Sequence, residues 1–230
     1  MTAAEFHTNF KFRMDKLDSL NYPGFESTEI DMLLNQAQER FVKQRYGINN
    51  NKRQSFEETQ KRTDDLRNIV KRVSITPQAT QAANKPNGVF VQLPTTLNQE
   101  FWFAVNEECD ITYEDCHEED VTVRVPIRPI QHDDYNKTIK DPFDKPWKEE
   151  IIRLASDTFY ELISDTGITI GTYYLTYLKK PINISLTNNV TSELAEHTHS
   201  EIVDLAVQIA LEGIEAKRQQ TFPSILNTDE

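Results

Sequence analysis

Two kinds of periodicity alternate along this chain, and their order limits what it can fold into. Up to about residue 74 apolar side chains recur at three- and four-residue spacing, the period of an amphipathic helix. From Ile75 the pattern changes to short β-branched and aromatic runs separated by Pro, Asn and Asp, and from Glu196 the helical spacing returns. The expected fold class is therefore α+β: an antiparallel bundle of three N-terminal helices and one C-terminal helix, residues 1–74 and 190–222, carrying an inserted antiparallel β-domain, residues 75–189, with 223–230 as a tail.

Within the first part, Phe6, Phe10, Met14 and Leu17 predict a helix that the Pro23-Gly24 pair ends. Ser27 or Thr28 is suited to cap a second helix, whose apolar stripe is Ile30, Leu33, Leu34, Ala37, Phe41 and Val42 and whose stop is Gly47. Ser55-Phe-Glu-Glu58 matches a capping box for a third helix, laced by Glu57 with Lys61, Glu58 with Arg62 and Lys61 with Asp65, with Leu66, Ile69, Val70 and Val73 as its apolar face. Lys52, Arg53, Lys61, Arg62, Arg67, Lys71 and Arg72 make this the most basic stretch of the chain. It reads either as a solvated helix face or as a docking face for an acidic region of a neighbouring copy.

In the middle region Val89–Pro94, Phe101–Val105, Val121–Pro126 and Ile168–Leu178 read as strands, and Ile151, Ile152, Leu154 and Ala155 as a further strand continuing into a hairpin through Phe159, Leu162 and Ile163. Pro126, Pro129, Pro142, Pro146 and Pro181 cannot donate to a ladder and belong at strand ends, edges or loops. Ile182–Leu186 reads as a short extended piece. The last helix carries Ile202, Leu205, Ala206, Ile209, Ala210 and Ile214 on one stripe.

Eight acidic residues and no lysine or arginine fall between Glu107 and Asp120, inside the strand region, and the whole chain has a formal charge of −12. A protein that grips a phosphate backbone needs the opposite balance. Twelve Phe and eight Tyr argue for an ordered chain, and the low apolar fraction of 37% suits either a protein that completes its burial against neighbouring subunits, the expected case, or a solvated surface with long loops. The N-terminal segment has no secretory pattern, and the longest purely apolar runs, such as Phe101–Val105, are far short of the roughly 20 residues a membrane span needs, so a soluble protein made in a cytoplasm is expected, with no membrane partner.

Motifs for cofactor chemistry are missing from the sequence. Six glycines supply neither a dinucleotide fingerprint nor a phosphate-cradling loop, and there is no GxSxG or HExxH, so no cofactor is expected. Cys109, Cys116 and His117 are metal-ligand types, but a six-residue gap between the cysteines lacks knuckle spacing and no second cysteine pair exists, so ordinary thiols are expected. The acidic run lacks the alternation of a calcium loop. His197 and His199 with Glu193, Glu196, Glu201 and Asp204 read as residues at the start of a helix, where carboxylates suit the positive end of the dipole.

Asp141-Pro-Phe-Asp-Lys-Pro146, Ile152-Arg-Leu154, the run from Tyr173 to Pro181, the stretch from His199 to Glu212 and the helix Glu29–Gln38 together resemble the head-to-tail connector ring proteins of tailed bacteriophages, especially those of crAss-like phages. The likeness covers most of the chain and lies in packing and turn residues. It implies a non-enzymatic virion subunit of the neck or tail, present in the host cytoplasm during assembly, whose copies, commonly twelve, close a ring below the portal protein, contact neighbouring neck or tail proteins and let DNA pass as cargo. An acidic lumen suits that role, because like charge keeps DNA from sticking. The expected subunit interface sets Lys61, Arg62, Arg67 and Lys71 of one copy against Glu118, Glu119 and Asp120 of the next, with Ile182–Asn189 or Thr221–Glu230 reaching to a neighbour. An acidic monomeric binding module, acting as a DNA mimic or an inhibitor of a basic partner, and a metal-dependent hydrolase are the alternative readings.

Overall fold

A computed structural model describes residues 1–17, 24–46, 60–77, 85–116, 119–156 and 159–213. The chain is mixed α+β and divides into two compact units, Met1–Ile69 with Pro181–Glu230, and Val70–Lys180.

In the first unit, helix α1 (Ala3–Leu17) buries Ala3, Phe6, Phe10 and Met14 along one stripe. Its start is fixed by a reciprocal pair: the Thr2 N–H donates to Glu5 Oε2 (2.8 Å) and the Glu5 N–H to Thr2 Oγ1 (3.3 Å). Helix α2 (Ser27–Tyr46) buries Ile30, Leu34, Ala37, Phe41 and Val42, while Leu33 is only half-buried. Ser27 already lies inside α2, so neither Ser27 nor Thr28 caps it; Glu26 precedes the helix and its N–H donates to Glu29 Oε2 (2.9 Å).

The third helix ends earlier than its periodicity suggests. Helix α3 spans Gln60–Leu66, a 3₁₀ turn covers Arg67–Ile69, and Val70–Ile75 is a strand, β1. Val70 and Val73, expected on a helix face, instead pair with Leu178 and Leu175 of a strand a hundred residues away, a tertiary pairing that the local period cannot reveal. The expected box at Ser55, its i,i+4 partners Glu57 and Glu58, and Gly47 lie outside the described residues.

Helix α6 (His199–Gly213), entered through a 3₁₀ turn at Glu196–Thr198, buries Ile202, Val203, Leu205, Ala206, Val207, Ala210 and Leu211. It is apolar on more than one face because it packs against both α1 and α2. Arg13 fastens α1 to it, donating to Ser200 O (2.9 Å) and Oγ (2.8 Å) and pairing with Asp204.

Residues 182–192 run as a strap along α2, held by polar side chains one or two turns apart. Gln38 Nε2 donates to Ile182 O (2.9 Å), Asn35 brackets Ile184 through both its N–H (2.7 Å) and C=O (3.0 Å), and Asp31 accepts the Leu186 N–H (3.1 Å). Asp31 also binds His7 Nε2 (2.7 Å), and Ser192 Oγ donates to Gln38 Oε1 (2.6 Å). Alternate strap residues thus meet α2 positions i, i+4 and i+7, whose side-chain amides and carboxylate stand in for a neighbouring strand.

The second unit holds a seven-stranded sheet in the order β1-β7-β3-β4-β5-β6-β2, with β2 Gly88–Gln92, β3 Phe101–Glu114, β4 Asp120–Pro129, β5 Ile151–Ser156, β6 Phe159–Ile163 and β7 Ile168–Lys179. The expected β5–β6 hairpin is present, Ile152 opposite Ile163. The sheet is not wholly antiparallel as expected: β4 and β5 run parallel over Ile127–Pro129. Pro126 explains the junction. It is the last β4 residue paired with β3, opposite Glu108, and from Ile127 onward β4 is bonded to β5, so the residue that cannot donate sits where the strand changes partner. Short helices α4 (Thr95–Glu100) and α5 (Tyr135–Lys140), absent from the sequence reading, interrupt the strands.

One face of the sheet gathers the main core of this unit, including Ile75, Val91, Ile111, Val125, Ile151, Leu162 and Tyr173. The other face of β5 and β6 buries Leu154 and Ile163 under Tyr135 of α5. Pairing between β3 and β7 shifts register three times. At the shift beyond Cys109, Gly171 lies so close to β3 that a Cβ there would stand 3.0 Å from Asp110 O.

Candidate functional site

Strand alternation sorts the acidic run into two sets. Glu107, Cys109 and Ile111 face the core, and Glu108, Asp110 and Thr112 face the other way. Buried Glu107 has Arg153 Nε 2.8 Å from Oε2 and accepts the Tyr173 hydroxyl (2.9 Å). Burial raises the Glu107 pKa, and Arg153 offsets this only in part. Burial likewise pushes the Tyr173 phenol up, with Glu107 adding to it. Arg153 also stacks 4.3 Å above the Tyr160 ring, closing a polar knot inside the core.

On the opposite face Arg124 forks onto Asp110 (2.9 and 3.3 Å), the Tyr174 hydroxyl donates to the same carboxylate (3.0 Å), and the Arg124 guanidinium lies 3.9 Å over the Tyr174 ring. The Arg124 hydrogen bond, more than any other contact, holds the Asp110 carboxyl below its usual range. Glu108 pairs with Arg72 at 3.4 Å. Three carboxylates of the run are thus neutralised by arginines from β1, β4 and β5. Glu114, Asp115, Glu119 and Asp120 crowd the β3–β4 hairpin tip, where Glu114 is opposite Asp120 and the Asp115 N–H donates to Glu119 O (2.9 Å). Glu119 and Asp120 are exposed; Glu118 and His117 lie outside the described residues.

The basic residues do not share one helix face. Lys61 is exposed on α3, Arg62 beside it is only 4% exposed, Arg67 is exposed on the 3₁₀ turn and 4.0 Å from Asp64, and Lys71 is exposed on β1. Asp65, expected to pair with Lys61, is fully buried between Arg45 (3.1 Å) and His197 (2.7 Å).

Among the described residues the candidate metal ligands do not gather into one site. Cys109 is buried, and burial with the nearby Asp110 charge pushes its thiol up to about 12, the reverse of what a thiolate ligand needs. Cys116 is exposed at the hairpin tip with Sγ 3.3 Å from Asp115 Oδ1. His197 turns to Asp65, whereas His199 is buried with Nε2 on Leu194 O (3.1 Å) and Nδ1 3.0 Å from the Met1 amino group. Among the described residues no group of three His, Cys, Asp or Glu side chains is placed to hold a metal ion, and no helix is long and apolar enough to cross a membrane.

One surface feature escaped the sequence reading. Phe143, in the Asp141–Pro146 turn between α5 and β5, is 97% exposed, and Trp147 nearby is 53% exposed. The turn is braced: Asp141 Oδ1 accepts the Phe143 N–H (3.0 Å), Arg128 donates to Asp144 O (2.5 Å), and Lys145 Nζ meets Asp165 (3.1 Å). The available signal was a single phenylalanine flanked by Asp-Pro and Asp-Lys-Pro.

Glu107, Glu108 and Asp110 are thus paired within the chain, while Phe143 stands exposed. Over 234 residues the chain is 26% identical to "Ring protein 4/5" of Bacteroides phage crAss001, covering 91% of this chain and 92% of that protein. It is also 26% identical over 232 residues to "Ring protein 3" of the same phage, covering 92% and 95%. A family model described as phage tail ring protein 3/4 matches residues 1–222. The chain belongs to the phage tail ring protein 3/4 family, a bacteriophage structural ring protein of the virion.

Proposed function

We propose that this chain is a subunit of a ring in the head–tail connector, below the portal, through which the genome passes without sequence-specific binding. The match of residues 1–222 to the ring-protein family carries the reading. A net charge of −12 supports a channel that repels DNA at every register, and the braced, exposed Phe143 supports a subunit whose surface is finished by neighbours. Twelve copies, contacts with portal and tail proteins and a structural rather than enzymatic role complete it.

In this reading the helices form a bundle and the β-domain is its insertion, supported by the grouping of Met1–Ile69 with the chain after Pro181. Exposed Lys61, Arg67 and Lys71 approach Glu118, Glu119 and Asp120 of the next copy, with Arg62 supporting from within. Electron microscopy of particles, or of the protein assembled with its portal, tests the proposal. A closed ring around an axial channel at the neck is expected; a chain found only as a monomer on another partner would overturn it.

A further inference from the structure

We propose that neighbouring copies join sheet to sheet, the β1 edge of one pairing antiparallel with the β2 edge of the next. The inference rests on the ring reading and adds the contact that would close it. Among the described residues β1 is paired with β7 alone and β2 with β6 alone, so the sheet ends in two unlike edges. Each presents a row of N–H and C=O groups directed away from its partner.

Edge strands of monomers are usually blunted by proline, bulges or charge. Neither device of backbone shape is used here. β1 keeps one register over six pairs with β7 and β2 over five with β6, and neither contains proline. The three register shifts of the sheet lie inside it, between β3 and β7. The two edges match in length, six and five residues, or about 16–20 Å of strand.

Direction supplies the stronger argument. Seven strands in wholly antiparallel order would leave both outer strands pointing the same way. The single parallel pair, β4 with β5, inverts that parity, so β1 and β2 point in opposite directions. Copies related by rotation about an axis along the strands keep their strand directions. Bringing β1 of one beside β2 of the next then gives an antiparallel ladder, the more stable pairing. Because the edges differ, each copy spends one on each neighbour, and a closed ring leaves neither open.

Charge selects this pairing over self-pairing. Lys71, opposite Tyr177, and Arg72, opposite Thr176, lie on the two faces of β1. Two β1 edges in contact would set cations against cations on both faces, whereas Gly88-Val-Phe-Val-Gln92 carries no charge.

Hydrogen exchange on the free chain and on the assembled ring tests this. Exchange across 70–75 and 88–92 is expected to slow by roughly tenfold or more in both segments on assembly, at the alternate amides that point outward. A proline pair adds a second readout. Residues three apart in a strand point their N–H groups to opposite sides, so of Lys71→Pro and Ser74→Pro one is expected to keep the monomer's melting temperature yet lose the ring, while Lys71→Ala, which removes the charge and keeps the N–H, retains the ring. A ring in which both segments exchange as fast as in the free chain overturns the pairing and leaves the ring reading standing. So does protection confined to 88–92, the mark of a β2–β2 contact. Absence of any ring from particles overturns the ring reading and this inference with it.

Discussion

Arg45 holds its Nε 3.1 Å from the Asp65 carboxylate at a point where Asp65 has no exposed surface and Arg45 only 6%. Glu201 (2.5 Å) and His197 (2.7 Å) complete the cluster, tying α2, α3 and the start of α6 together, and the guanidinium lies 4.9 Å over the Phe41 ring. Removing one member of such a pair strands the other in a poorly solvated place. Asp65→Asn is expected to cost about 3 kcal/mol, the low end for a broken buried pair because Glu201 remains, as a lowered urea midpoint with an unchanged slope. Asp64→Asn, one residue away and half-exposed, should stay within about 0.5 kcal/mol.

The Asp110–Arg124 fork predicts a pH signature. A carboxyl held low in the folded chain adds stability above its unfolded pKa, and the gain is lost as pH falls through the folded value. Wild type should therefore melt above Asp110→Asn near neutrality. The gap should close in acid, below the ordinary aspartate range of about 3.9, and should narrow in high salt because the pair is largely exposed. Melting curves of both proteins between neutral and acid pH decide it; a gap that persists in acid contradicts the assignment.

The two cysteines should behave differently. A chromogenic disulfide reagent near neutral pH should titrate Cys116 alone in the folded protein and both thiols in denaturant, because Cys109 is sealed in the core with its thiol pushed up to about 12. Rapid reaction of two thiols in the native chain would place Cys109 outside the core.

At the β3–β7 bulge, Gly171→Val is expected to destabilise the chain by about 1–3 kcal/mol, since its added carbons press on the backbone of Asp110, which has no rotamer to yield with. Thermal unfolding of this variant beside Gly167→Asn, whose φ of +81° and open surroundings tolerate asparagine, separates crowding from generic loss of glycine.

The legible parts of the fold were those whose cause is local. Ile151-Ile-Arg-Leu and Phe159–Ile163 declared a hairpin, and the spacing of Phe6, Phe10 and Met14 declared α1. β1 was hidden because Leu66, Ile69, Val70 and Val73 satisfy a helical template, while its true partners wait in β7. The acidic run misled in a similar way. Counting neighbours in sequence finds no cation near Glu107, Glu108 or Asp110, yet Arg153, Arg72 and Arg124 arrive from other strands of the sheet. Arg62 shows the reverse, a charge read as surface that the fold buries. Exposure of Phe143 and the placing of β1 and β2 at the ends of the strand order are properties of the assembled strands, with no residue-level signature.

The strap along α2 also carries information about timing. Its bonds join residues separated by about 140–160 positions, and Arg13 and Arg45 reach across 187 and 156 positions to Ser200 and Glu201. During synthesis, α1 and α2 therefore emerge long before the strap and α6 exist, with Phe6, Phe10, Leu34 and Phe41 uncovered, while every strand pairing of the β-unit lies between Val70 and Lys179 and can form in the interval. Closing the helical unit then awaits the final stretch of translation. The helices made first are the ones completed last, so a ribosome stalled short of α6 would release a formed β-unit beside two sticky helices.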